Sequence, residues 1–168
     1  MKQTAASKMA LGGVLAALAV VIMCMGGIIP VATFVLPMLC MLLLTLVIRS
    51  CGNRIAWAWY GAVSILSLLL GPDKEAAAVF TFLGYYPIIR PWFEKLPLKN
   101  LWKLVYFNAV ILAMYWLLMH LFAMAQLLAE FREMGIWMTL ITLAMGNVTF
   151  WLLDRLLAPG VLRRKRRG

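Results

Sequence analysis

Asp73, Lys74 and Glu75 stand side by side in the stretch LLLGPDKEAAAVF, between two long apolar runs. Pro72 has no backbone N–H, so Gly71-Pro72 ends the helix before it. Asp73 has a suitable side chain to cap the next helix. Glu75 falls in that helix's first turn, where a carboxylate meets the positive helix end. Lys74 has no such reason to be there, since a cation is unfavourable at that end. The turn therefore reads in two ways. It is a capped, solvated turn, or it faces a ligand, with Lys74 matched to an anionic group or Asp73 and Glu75 to a cationic one.

Other polar residues stand inside apolar runs. In Gly84-Tyr85-Tyr86-Pro87, Pro87 is expected to remove the hydrogen bond to the Leu83 carbonyl and kink a span. Tyr85 and Tyr86 then either pack, satisfy the freed backbone groups or line a pocket. His120 is the sole histidine and shares a helix face with Trp116, four residues before it. Its two readings are an interhelical hydrogen bond and a ligand contact. Asn108 and Asn147 are mid-span amides. Gly146 and Thr149 beside Asn147 point to close helix packing with an interhelical bond. Asp154, just before Arg155, reads as a snorkelling or paired group.

These residues do not form a catalytic set. One histidine without a neighbouring carboxylate in sequence lacks the nucleophile–base or metal constellation an enzyme needs. No nucleotide loop, Gly-x-Ser-x-Gly, His-Glu-x-x-His or Cys-x-x-Cys occurs. Cys24, Cys40 and Cys51 are odd in number and scattered, which argues against a disulfide framework or a zinc site. The twelve methionines show no copper-type clustering and read as adaptable packing. The expectation is a protein that is not an enzyme and carries no cofactor or metal.

The elements that position these residues follow from composition. The chain has 168 residues and is 65% hydrophobic, against about 45–50% in soluble domains. Apolar runs of transmembrane length recur along it. Six spans are expected, over 7–24, 31–48, 55–70, 75–89, 101–128 and 136–157, with a bend at GGIIP after the first. The first run is too long for a signal-peptide core and no clear cleavage site follows it, so it reads as a retained span. The expected fold is all-α, one transmembrane domain over 1–168, multi-pass in a cell membrane.

Charge orients the bundle. With both termini inside, the inner segments hold Lys2, Lys8, Arg49, Arg54, Arg90, Lys95, Lys99, Lys103, Arg155 and the five basic residues of the tail, and the outer segments hold only Lys74 and Arg132. That is the positive-inside pattern of an N-in, C-in bundle. The net charge of +10 sits where topology needs it, so nucleic acid is not an expected partner. The tail basic residues are placed to touch anionic lipid head groups of the bilayer.

In the first span Ala10, Gly13, Ala16 and Ala17 recur at spacings of three and four, a flat stripe on which a second helix approaches closely, from this chain or another. Six spans with both ends inside, this first helix and the bend after it resemble the S components of energy-coupling-factor transporters, small membrane proteins that bind vitamins or other micronutrients. The resemblance covers nearly the whole chain as a pattern of spans. It implies that the stripe, with Gly13 and Ala17 at the family's spacing, docks on a membrane T component. It also implies a pocket open to the outside, roofed by the segments 26–33 and 71–75. Asp73, Lys74 and Glu75 would stand at its mouth, with Tyr85, His120 and Asn147 offering hydrogen bonds below. ATPase subunits would be further partners, since the chain has no nucleotide loop. A different class of function fits the same residues: a scaffold or accessory subunit of a membrane complex with no ligand of its own.

Overall fold

The computed structural model describes residues 5–28, 32–120 and 135–157, and every regular element among them is helical. Helix α1 is Ala5–Cys24, and a 3₁₀ turn, Met25–Ile28, follows it. Helices α2 (Ala32–Cys51), α3 (Asn53–Leu70), α4 (Lys74–Leu83) and α5 (Tyr86–Phe93) complete a first compact unit, which extends to Lys95. Helices α6 (Lys99–His120) and α7 (Ile136–Leu156) lie in a second, which starts at Leu96. Among the described residues three stretches are long and apolar enough to cross a membrane, Ala6–Cys24, Thr33–Cys51 and Lys99–Leu118. The chain is thus an all-helical membrane-type protein.

In the first unit α2 packs against α1, α3, α4 and α5. Its Cys40, Leu44 and Val47 are fully buried. Two thiols tie it to α1: Cys40 Sγ donates to the Ala19 carbonyl (3.5 Å) and Cys51 Sγ to the Lys8 carbonyl (3.2 Å). Both are free cysteines acting as small, weakly polar residues, Cys40 in the core and Cys51 half-buried. Helix α3 buries Ala56, Trp59, Val63, Ser64 and Ser67, a stripe at intervals of three and four. Helix α4 is buried nearly all round, from Ala76 through Phe80 and at Leu83. The run of three alanines lets its neighbours approach.

The expected fourth span, 75–89, is two short helices. Helix α4 stops at Leu83, and α5 restarts at Tyr86 with Pro87 in its first turn. There the missing N–H costs nothing, because first-turn amides have no helical partner anyway. The break falls three residues before the expected kink. Gly84 makes it possible: a Cβ there would collide with the Phe80 carbonyl oxygen and lie 2.9 Å from Cε2 of its ring. The part of the expected fifth span beyond His120 and the basic tail lie outside the described residues.

Candidate functional site

The GPDKE turn is held from three sides. Asp73 Oδ1 accepts from the Ala76 amide at 2.9 Å, the N-cap of α4. Its second oxygen accepts from Thr33 Oγ1, in the first turn of α2, at 3.2 Å. The turn after α1 closes on the same carboxylate: a Cβ on Gly26 would stand 3.1 Å from Asp73 Cβ and 3.5 Å from Oδ2. Asp73 therefore latches the α3–α4 turn onto the α1–α2 bend, across 40 residues of sequence from Thr33. The latch is possible because Gly26 leaves room for it.

Lys74 has a role that its own helix does not reveal. Its Nζ donates to the Leu68 carbonyl at 2.8 Å. Leu68 lies in the last turn of α3, where carbonyls lack intrahelical partners and a cation meets the negative helix end. The lysine is thus misplaced for α4 and well placed for α3. Glu75 occupies the first turn of α4 and is half-buried.

Tyr85 lies at the other end of α4, which at 1.5 Å per residue is roughly 18 Å from Asp73. Its ring stacks on Trp57 of α3 (centroids 6.2 Å, 22°) and meets Tyr60 edge-on at 5.8 Å. Tyr60 in turn lies against Phe80 at 5.9 Å and donates its hydroxyl to the Thr81 carbonyl. Thr81 is in the last turn of α4, so a tyrosine from the neighbouring helix serves the broken backbone. Packing, satisfaction of the broken backbone and pocket lining were the expected alternatives for Tyr85 and Tyr86; Tyr86 is fully buried, 6.3 Å from the Phe93 ring.

Asn147 lies in the second unit and pairs with Asn108. Asn147 Nδ2 donates to Asn108 Oδ1 at 2.9 Å, and Asn108 Nδ2 returns a bond to Asn147 Oδ1 at 3.2 Å. Each amide also donates to the carbonyl four residues earlier, Leu143 or Leu104. Phe107, the residue before Asn108, stacks on Phe150, three residues after Asn147, at 4.6 Å. Beyond that, Lys103 Nζ sits 3.0 and 3.1 Å from the two carboxylate oxygens of Asp154. Lys103 is 4% exposed, so this is a buried ion pair. It explains Asp154 as a paired group, and its partner is a lysine that charge counting treats only as a topology signal. Lys103 with Asp154, Phe107 with Phe150 and Asn108 with Asn147 form antiparallel rungs across one helix pair.

Beside these rungs, α6 and α7 enclose a cleft of about 430 Å³. Its polar lining comes from Asn100, Lys103, Asn147, Asp154 and Arg155, and Trp151 and Phe150 supply aromatic walls. The Arg155 guanidinium lies 5.1 Å over the Trp151 ring. Helix α6 supplies Lys103 and α7 supplies Asp154 and Arg155, so only the tertiary pairing shows the site. The side chain of His120, the last residue of α6, lies outside the described set.

On α1 the expected docking stripe lies mainly on the outward face. Ala10, Gly13 and Ala17 are exposed and Ala16 is half-buried. A Cβ on Gly13 meets nothing within 4 Å among the described residues. Inward packing uses another face, where a Cβ on Gly12 would stand 3.7 Å from the Ile55 side chain and where Ala19 and Met23 are buried. Among the described residues no cluster of histidine, cysteine or carboxylate side chains fits a metal ion. In comparison with known proteins the chain matches no family model, no curated protein and no solved structure.

Proposed function

We propose that the chain is the substrate-binding membrane subunit of an energy-coupling-factor-type uptake transporter. It crosses the membrane six times with both termini inside, α4 and α5 together forming the fourth crossing. The concentration of lysine and arginine in the inner segments supports that orientation. The observation that carries the reading is the Thr33–Asp73 hydrogen bond with Gly26 packed beside it. It joins the two segments that roof the pocket in the family the chain resembles. A small micronutrient enters from outside when this latch opens. Lys74 or the carboxylates of Asp73 and Glu75 meet its charge, and Tyr85 offers a hydrogen bond deeper in. The exposed small-residue face of α1, Ala10 to Ala17, docks on the membrane T component, and ATPase subunits supply the energy.

The test is mass spectrometry of small molecules retained by the protein after purification in a gentle detergent. A bound molecule present in the wild type and lost from Lys74→Ala or Glu75→Ala supports the reading. Preparations free of any such molecule, or a molecule retained equally by both variants, count against it.

A second reading draws support from the bonds of Asp73 to Ala76 and of Lys74 to Leu68. Both charges have structural partners, as an ordinary capped turn requires. The chain is then a scaffold subunit that joins a larger membrane complex through α1. In that case neutralising the turn leaves assembly intact, while a bulky side chain at Gly13 or Ala17 breaks it.

A further inference from the structure

The cleft between α6 and α7 belongs to neither reading. We infer that it binds the phosphodiester head group of an anionic phospholipid. Its volume, about 430 Å³, falls in the range of small-molecule sites, roughly 300–1,000 Å³. Among the described residues its charged lining sums to +1, from Lys103 and Arg155 against Asp154. A phosphodiester carries the single negative charge that balances it.

The donors are arranged for an anion. Lys103 pairs with Asp154, and among the described residues lining the cleft Arg155 is the other cation. The Arg155 guanidinium carbon lies 5.1 Å over the Trp151 ring, which holds the head of the side chain at the cleft. A guanidinium can donate to two phosphate oxygens at once. Asn100 adds an amide from the first turn of α6, the positive end of that helix. A lipid fits better than a soluble phosphate because the cleft adjoins apolar, exposed surface. Leu104 and Trp151 line it and are 52% and 57% exposed, on a pair that includes a helix of membrane-crossing length. Head group and acyl chains thus find matching surfaces together. This inference does not depend on transport.

The experiment uses the full chain, delipidated in a neutral detergent and titrated with phosphatidylglycerol, phosphatidylcholine or inorganic phosphate. Native mass spectrometry counts bound lipid, and thermal unfolding reads stabilisation. Phosphatidylglycerol is expected to bind with a stoichiometry of one and raise the melting temperature; phosphatidylcholine and phosphate are not. Arg155→Gln should weaken phosphatidylglycerol about tenfold or more, the scale of a lost charge-assisted hydrogen bond. Arg49→Gln, which removes a cation elsewhere, should leave it unchanged. Arg155 is exposed, so its variant is expected to fold, and circular dichroism checks that. Equal binding of the two lipids, an equal effect of free phosphate, or equal losses in the two variants would overturn the inference.

Discussion

Replacing Lys103 by methionine isolates what the buried ion pair contributes. The lysine side chain is 5% exposed and that of Asp154 is 23%. Removing one partner of a fully buried pair costs about 3–5 kcal/mol, because an uncompensated charge stays in a poor solvent. Asp154 keeps some access to solvent, which reduces its share, so Lys103→Met should destabilise by about 2–3 kcal/mol. For a chain of this size each kcal/mol moves the melting temperature by roughly 2–4 °C, so the loss should be roughly 4–12 °C. Asp154→Leu strands the more deeply buried member and should cost at least as much. The double variant, Lys103→Met with Asp154→Leu, replaces the pair by apolar groups and should recover most of the loss. Thermal unfolding of the four proteins in one detergent measures the cycle. Single variants as stable as the wild type, or a double variant whose loss is the sum of the two, would refute the reasoning.

Gly84→Ala should destabilise by about 1–3 kcal/mol, as overpacking does, because its Cβ has no room beside Phe80; Gly13→Ala, which meets open space, should leave the melting temperature of the isolated chain unchanged. Asp73→Ala removes the α4 cap and the Thr33 bond together and should cost about 1–2 kcal/mol in unfolding free energy, while Thr33→Val, which spares the cap, should cost less. Single cysteines in a background without Cys24, Cys40 and Cys51 test orientation. A cysteine at Lys74 should react with an impermeant maleimide in intact cells, and one at Lys95 only after permeabilisation.

The local signals in this sequence were legible, and the long-range pairings were not. Asp73 as an N-cap follows from its own neighbours, and the cap is there. The small and polar neighbours of Asn147 suggested an interhelical bond there, but not that its partner would be Asn108, 39 residues away. Pro87 showed that the fourth apolar run is interrupted, but not where. Crowding by Phe80 at Gly84 sets the break earlier, and proline is harmless in a first turn. Lys74 seemed unexplained because its partner, the Leu68 carbonyl, belongs to the preceding helix. Lys103 and Asp154 are 51 residues apart, and each alone reads as an interfacial charge. Their equal depth at the same end of two antiparallel helices is the signal that pairs them. The α1 stripe was visible as small residues, but which of its faces turned outward depended on the packing of Gly12 against Ile55.

The measurement that tests the proposed function most directly is purification of the tagged full chain in gentle detergent, with mass spectrometry of everything that accompanies it. The account predicts an ATPase pair and a second membrane subunit, present with the wild type and lost with Gly13→Leu or Ala17→Leu. Recovery of the chain alone, or with the same partners in all three preparations, would contradict it.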